Sequence, residues 1–317
     1  VASRGLGDVY KRQAYNEKNN SATETDVSGG WYDAGDYNKY TNWTSGYVIQ
    51  MMLAYLEKPE AWADNYNLPE SGNGIPDLLD EAKWGVDHLL RMQRKDGSVL
   101  SIASLSSASP PSSASGPTYY GAANTSSAQS VAAAFSIASK VYRSLGMTTY
   151  ADTLVKRAKA AWDWSGANPG VVWKNNDSEY GSVGIGAGQQ EQSDYERAMG
   201  RLKAAIYLYD ATGEAEYKTY ADANYVNAHL IMWNFAYPFE GELQDALLYY
   251  SSLLGISSVI KTKILNAYKS GMNGADNFKA YTSQTDPYRA HLGTYSWGSN
   301  NIKCCLLYTS PSPRDAT

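Results

Sequence analysis

Cysteine is almost missing from this chain. Two occur, Cys304 and Cys305, adjacent and close to the end, and the rest of the sequence has none. Neighbouring thiols there imply no disulfide framework, so redox compartment cannot be read from them. Histidine is equally sparse: His88, His229 and His291 lie far apart, with no Cys or Asp grouping that would suggest zinc. No run of basic residues occurs, and the net charge is −5 with a pI near 5.3, which argues against nucleic acid as a partner. No apolar stretch approaches the ~20 residues that span a bilayer, so a membrane is not an expected partner either. The nucleophile elbow Gly-x-Ser-x-Gly, the Walker loop and the dinucleotide fingerprint are all lacking. Phenylalanine is scarce, with 4 residues.

Against those absences stand 27 Tyr and 9 Trp in 317 residues. Each presents a ring face with a polar handle, a combination suited to gripping hydroxylated ligands. Most of the 36 must serve ordinary half-buried packing, so the bias by itself only leans toward carbohydrate. The segment 26–40, Asp-Val-Ser-Gly-Gly-Trp-Tyr-Asp-Ala-Gly-Asp-Tyr-Asn-Lys-Tyr, is sharper. Asp33 and Asp36 stand three apart around Ala34-Gly35, flanked by Trp31, Tyr32 and Tyr37 and preceded by Gly29-Gly30. Glycines permit turns that other residues resist. Paired carboxylates between aromatic rings supply a base for water and flat surface for a pyranose. Taken alone, Asp-x-x-Asp on such a turn also suits a cation held by oxygen ligands, or an acidic pair at a helix N-terminus.

The fifteen residues together resemble the signature of glycoside hydrolase family 9, the inverting cellulases. The resemblance implies that Asp36 is the general base and that Asp33 orients the attacking water. It extends, in the family's order, through Asn73-Gly-Ile-Pro-Asp-Leu-Leu-Asp-Glu-Ala-Lys-Trp, Tyr119-Tyr120-Gly121, Ala161-Trp162-Asp163-Trp164, Leu208-Tyr-Asp-Ala-Thr-Gly213 and Tyr295-Ser-Trp-Gly-Ser-Asn300. Trp297, in the last of these, is a candidate for stacking a glucosyl unit, with helix packing as the equal alternative. Trp31, Tyr32 and Tyr37 are candidate substrate contacts, although Trp31 and Tyr32 also suit a role in supporting the turn. Many members carry an Asp-Glu calcium pair at the start of the fifth helix. Here that pair would fall on Met199-Gly200, with Asp194 and Glu196 out of register, so neither metal nor cofactor is assigned.

Helical periodicity recurs along the chain from about residue 44. Apolar stripes run through Val48–Tyr55, Leu79–Leu90, Ala128–Leu145, Tyr150–Ala161, Leu202–Tyr209, Tyr217–Ala221, Leu243–Leu254 and Ile256–Tyr268, eight in all. Pro76-Asp77 suits a helix start, and Gly213, Gly255 and Gly271 suit helix ends. Eight helices without alternating strands predict an all-α protein. The resemblance implies an (α/α)6 barrel, a toroid of six hairpins, incomplete at its C-terminal end. Residues 101–118 are Ser/Pro-rich and read as a long exposed loop; residues 165–194, rich in Gly and Asn, read as a second.

Residues 1–13 and 305–317 resemble translated sequencing-adaptor tails and are set aside, leaving 14–304 as a partial catalytic domain. The family's general acid, a glutamate, lies beyond Asn301 in the family layout. Inverting chemistry needs carboxyls ~6.5–9.5 Å apart on opposite sugar faces. Acids three apart on a turn share one side, so neither Asp33 nor Asp36 serves as that donor. The expectation is therefore a secreted, monomeric endo-β-1,4-glucanase acting on β-glucan, of which this chain is a piece that is inactive by itself. Exo-acting hydrolysis and non-catalytic glycan binding are the alternatives. His88 reads as a structural histidine, His229 as ending a helix, and His291 as lying on a surface loop.

Overall fold

A computed structural model of the protein describes residues 11–33, 36–107 and 115–274. It divides into two units, 1–213 and 214–317. All eight predicted helices are present, together with one short helical segment that periodicity does not reveal. The first unit holds α1 (Thr41–Glu57), α2 (Asp77–Met92), α3 (Thr125–Ser144), α4 (Thr148–Ala167) and α5 (Asp194–Thr212). The second holds α6 (Ala215–Asn224), the short α7 (His229–Met232), α8 (Gly241–Ser252) and α9 (Ser258–Met272).

Local chemistry accounts for where these helices begin and stop. Asn124 accepts a hydrogen bond from Ser127 N and caps α3, and Ser193 forms a capping box with Glu196 at α5. Gly213 closes α5 in the left-handed conformation, φ 72°. Pro76 precedes α2, whose first turn carries Asp77 and Asp80 and whose last turn carries Arg91, each sign placed to favour the helix dipole. Within the first unit α3 packs against α1, α4 and α5. Its sequence is rich in Ala and Ser, and most of its residues are buried around the whole circumference, as expected for a helix enclosed by others. In the second unit α9 packs on α7 and α8.

The sequence reading found no strands, yet the first unit has a small sheet. Strands β1 (Lys11–Ala14), β2 (Thr25–Asp26), β3 (Lys39–Tyr40), β4 (Ile102–Ser107) and β5 (Ser115–Tyr120) lie in the order β2-β1-β5-β4-β3. The β1–β5 pair is parallel and the others antiparallel. Strands of two to six residues are too short to show alternation against the helical background. Two assignments, one of a loop and one of a tail, are affected as a result. Most of 101–118 is strand rather than exposed loop, with Ser101, Ile102, Ala103 and Ser104 buried. Lys11–Gln13, from the segment set aside at 1–13, belong to β1.

The second loop, 168–193, is irregular as expected but not peripheral. Its Trp173 and Ile185 are buried with Tyr40, Ile102 and Tyr119 in one apolar cluster beside the sheet. Among the described residues no helix is long and apolar enough to cross a membrane.

Candidate active site

One face of α2 builds the approach to the site. Glu81, Trp84, His88 and Arg91, at spacings of three, four and three, share that face. Glu81 accepts from Trp31 Nε1 at 2.7 Å, and Trp84 Nε1 donates to the Gly30 carbonyl at 2.9 Å. His88 Nδ1 and Arg91 Nη1 lie 3.1 and 3.4 Å from the Ser28 carbonyl oxygen. This contact requires glycine above it. Gly30 has φ 68°, and a Cβ there would fall 2.6 Å from His88 Cδ2. His88, fully buried, is the structural histidine that its apolar neighbours suggested.

Beyond Trp31 the chain turns back on itself. Asp33 N donates to the Asn38 carbonyl at 2.9 Å. Asn38 then engages both oxygens of Asp36: its backbone N–H reaches Oδ1 at 3.0 Å and its side-chain amide reaches Oδ2 at 2.7 Å. The other end of the same amide accepts from Ser104 Oγ on β4 at 2.5 Å, and Ser104 Oγ accepts in turn from Gly186 N at 3.2 Å. Asp36 is thus tethered through Asn38 to the sheet and to the loop 168–193, with 9% of its surface exposed. Each carboxylate oxygen retains acceptor capacity beyond the bond Asn38 makes.

Burial raises the Asp33 pKa from 3.8 to about 6, and the neighbouring Asp36 carboxylate adds to the rise. Tyr40, at the end of β3, feels both acids. Burial chiefly, with the charges of Asp36 and Asp33, pushes its phenol up to about 12. Its hydroxyl stays neutral and accepts from Ala187 N at 3.0 Å and Gly188 N at 2.8 Å, which pins the loop beside the acids.

The aromatic candidates separate by placement. Tyr32 and Tyr37 meet edge to face, with ring centroids 4.9 Å apart. The buried Lys39 ammonium lies 4.7 Å from the centre of the Tyr32 ring and donates to the Gly29 carbonyl at 2.7 Å. Trp31 turns instead toward the helices. Its ring rests on Gly85 of α2, where a Cβ would come within 2.3 Å of Cη2, and it meets Tyr47 of α1 edge-on. Trp297 and His291 lie outside the described residues. Asp33, Asp36, Tyr32 and Tyr37 are therefore brought together, while Trp31 supports the turn from behind.

Sequence reasoning missed Asn38, Ser104, Lys39 and the α2 face. For Asn38 a signal existed: Asp followed two residues later by a backbone N–H is the Asx-turn pattern. Ser104 sits in a stretch whose composition hides its strand. His229 begins α7 rather than ending a helix; its ring stacks on Trp233 at 3.4 Å and bonds Glu240 at 2.6 Å. At α5, Asp194 pairs with Arg197 and Glu196 accepts from Ser193, so both acids are engaged at the helix start.

A carboxylate fixed by two donors, with a second acid of raised pKa on the same turn, can take a proton from water and orient it. Comparison with known proteins bears on the family. The description "Glycosyl hydrolase family 9" matches residues 4–308. The chain is 32% identical over 208 residues to a cellodextrinase of Butyrivibrio fibrisolvens, covering 62% of this chain and 36% of that protein. It is 26% identical over 302 residues to endoglucanase D of Acetivibrio thermocellus, covering 93% of this chain and 46% of that one. The chain thus spans less than half the length of these curated relatives. Among solved structures, a metagenome-derived family 9 endoglucanase superposes with a TM-score of 0.77 at 26% identity, over 96% of this chain and 56% of that one. The helical class read from the sequence is thereby supported, the fold being the family's (α/α)6 barrel in part, with the small sheet in addition. By its signature turn, its order of helices and a match over nearly its whole length, the chain belongs to glycosyl hydrolase family 9.

Proposed function

We propose that the protein from which this chain comes hydrolyses internal β-1,4-glucosidic bonds of β-glucans with inversion at the anomeric carbon. The observation that carries this is the tether between Asp36 and Asn38. Asp36 takes the proton from a water as that water attacks the sugar, and Asp33 orients the same water. Tyr32 and Tyr37 offer ring surface to the glucan, and Trp31 holds the turn against α2. Trp297 is proposed as a further stacking residue. The protonated leaving oxygen needs a carboxylic acid on the opposite face of the sugar, and the proposal places that acid outside Asp33 and Asp36. The protein is read as secreted and monomeric, with a β-glucan polysaccharide or oligosaccharide as its partner.

A leaving group that departs without protonation isolates the base. Fluoride is such a group, so β-cellobiosyl fluoride tests Asp36 independently of the missing donor. The expected result is fluoride release by this chain, measured with an ion-selective electrode, and its loss in Asp36→Asn. Turnover of carboxymethylcellulose should be absent or lower by ~100- to 10,000-fold, the usual contribution of a general acid. Release unchanged in Asp36→Asn would overturn the assignment of the base, and robust polysaccharide turnover would overturn the missing donor.

A second reading, exo-action on chain ends or short oligosaccharides, is favoured by the names of two relatives. One is the cellodextrinase; the other is a cellulose 1,4-β-cellobiosidase of Acetivibrio thermocellus, 31% identical over 219 residues and covering 62% of this chain and 23% of that one. In the whole protein, viscosity loss that outpaces reducing-sugar release supports endo-action, and the reverse supports exo-action.

A further inference from the structure

Near its end the loop 168–193 closes on a carboxylate that the proposed reaction does not use. Glu191 has only 3% of its side chain exposed. Five groups reach its two oxygens, and all of them are donors. Asn124 Nδ2 and Trp173 N donate to Oε2, each at 2.8 Å. Ser126 Oγ and Gln192 N donate to Oε1 at 3.1 and 2.9 Å, and Arg197 Nη1 lies 3.5 Å from the same oxygen. A carboxylate offers about four acceptor sites, so this one is fully engaged.

Its donors come from elements far apart in sequence. Asn124 is the cap of α3, Ser126 lies in the first turn of that helix, and Arg197 lies near the start of α5. Ser126 Oγ also accepts from Asn42 Nδ2 at 3.2 Å, and the same amide donates to the Gln190 carbonyl at 2.9 Å. Asn42 stands in the first turn of α1, two residues after Tyr40. Trp173 N brings in the opposite limb of the loop. Asn175 laces the limbs together: its side-chain amide donates to the Gly188 carbonyl, and its own carbonyl accepts from Gln189 Nε2 at 3.0 Å. Glu191 is therefore the point where both limbs meet the starts of α1, α3 and α5. A buried ion pair seldom offsets its own desolvation, so stability alone is a weak reason for a charge here. Several directional bonds to one charge do impose a single geometry.

The loop carries that geometry to the acidic turn. Gly186 N donates to Ser104 Oγ, which donates to Asn38, while Ala187 N and Gly188 N donate to Tyr40. Gly186 leaves little slack at this contact: its φ is 72°, and a Cβ there would fall 2.5 Å from Ile102 Cδ1. We propose that Glu191 is a positioning residue for the base. Acting through the loop, it sets where Tyr40 and the Ser104–Asn38 pair hold Asp36. The inference rests on the reading of Asp36 as that base. An amide at position 191 would turn its NH2 toward groups that are themselves donors. Glu191→Gln should therefore release the loop although it scarcely changes the volume of the side chain.

The test follows β-cellobiosyl fluoride turnover and amide hydrogen exchange on the full chain. In Glu191→Gln, exchange at residues 186–188 should quicken. Its kcat for fluoride release should fall by ~10- to 100-fold with KM little changed, the pattern of a misplaced base. Leu154→Ala removes a buried side chain of α4 toward the other end of the α3–α4 hairpin, and lowers stability without touching the loop. Its kcat should stay near that of the unsubstituted chain. Tyr40→Phe removes the acceptor for Ala187 and Gly188, and should lower kcat as well. The double variant Glu191→Gln/Tyr40→Phe should lose less than the product of the two single losses, because both act along one route. Losses that multiply overturn the proposal, as does a kcat that falls as far in Leu154→Ala. An unchanged kcat in Tyr40→Phe overturns it without Glu191→Gln having to fold. Slow exchange at 186–188 in Glu191→Gln overturns it whatever the fluoride assay reports. Fluoride release that survives in Asp36→Asn defeats the base assignment instead, and exchange alone then decides whether Glu191 holds the loop.

Discussion

Replacing Asp33 by asparagine should make the protein more stable at neutral pH while weakening the chemistry proposed for it. The carboxyl titrates at about 6 in the fold against 3.8 ordinarily, chiefly because it is partly buried and then because Asp36 stands beside it. At 1.36 kcal/mol per pKa unit, that difference corresponds to at most about 3 kcal/mol. Asp33 is only half-buried, and solvent screening reduces the effect to about 1 kcal/mol. The sign follows from the direction of the rise. Below pH 3.8 the acid is protonated both folded and unfolded, and no penalty exists. Between 3.8 and about 6 the folded state binds more protons than the unfolded one, so stability falls as pH rises. Above about 6 the full penalty of an ionised Asp33 is present. Asparagine mimics the protonated acid at every pH. Urea unfolding followed by tryptophan fluorescence should therefore show Asp33→Asn ahead by about 1 kcal/mol at pH 7.5, with the gap closing toward pH 4. A gain of equal size at both pH values would refute the electrostatic argument, and a loss at pH 7.5 would refute it more strongly. Fluoride release from β-cellobiosyl fluoride should fall in the same variant.

Two further substitutions probe the supports of the turn. Asn38→Ala removes the side-chain donor to Asp36 Oδ2, keeps the backbone donor to Oδ1 and leaves buried Ser104 without its acceptor, a loss of about 1–3 kcal/mol in urea unfolding; fluoride release should drop more than binding of cellobiose measured by calorimetry. Gly85→Ala places a methyl 2.3 Å from the Trp31 ring and 3.1 Å from Val48 Cγ2, a clash of about 1–3 kcal/mol against a helix-propensity gain of about 1. Net destabilisation together with a shifted Trp31 emission maximum is expected, whereas a stabilised variant would show that Trp31 moves freely.

What could be read from residues alone follows from the physical range of each signal. Helices announce themselves over fifteen or twenty residues, and α3 and α5 carry caps and stripes that coincide with their observed ends. The acidic turn was legible as a unit because its residues are local: Asp33, Asp36 and two tyrosines lie within six residues of one another. The sheet was not, because β3 has two residues and β4 lies in a Ser-rich stretch whose buried face depends on partners far away in sequence. The supports of Asp36 divide along the same line. Asn38 acts two residues away, within reach of pattern, whereas Ser104 acts across 66 residues and Gly186 across another 82.

That division bears on how the turn works. The base proposed at Asp36 lies on a glycine-rich loop with no rigidity of its own, since glycine gives up the most freedom when it is fixed. The fold restores rigidity from two directions at once. From one side α2 presses four polar contacts onto Ser28, Gly30 and Trp31; from the other, β4 and the loop 168–193 hold Asn38 and Tyr40. Neither support touches the carboxylate of Asp36 except through Asn38. Removal of the Asn38 side chain should therefore break the link from Asp36 through Ser104 to β4 and the loop while leaving the α2 contacts intact. Loosening α2 by Gly85→Ala should instead disturb Trp31 and leave the Asp36–Asn38 bonds in place. The two classes of change separate in one measurement: the first lowers fluoride release with Trp31 emission unshifted, and the second shifts the emission first. A single rigid unit would give both responses together in every variant, and that result would reject the two-sided support.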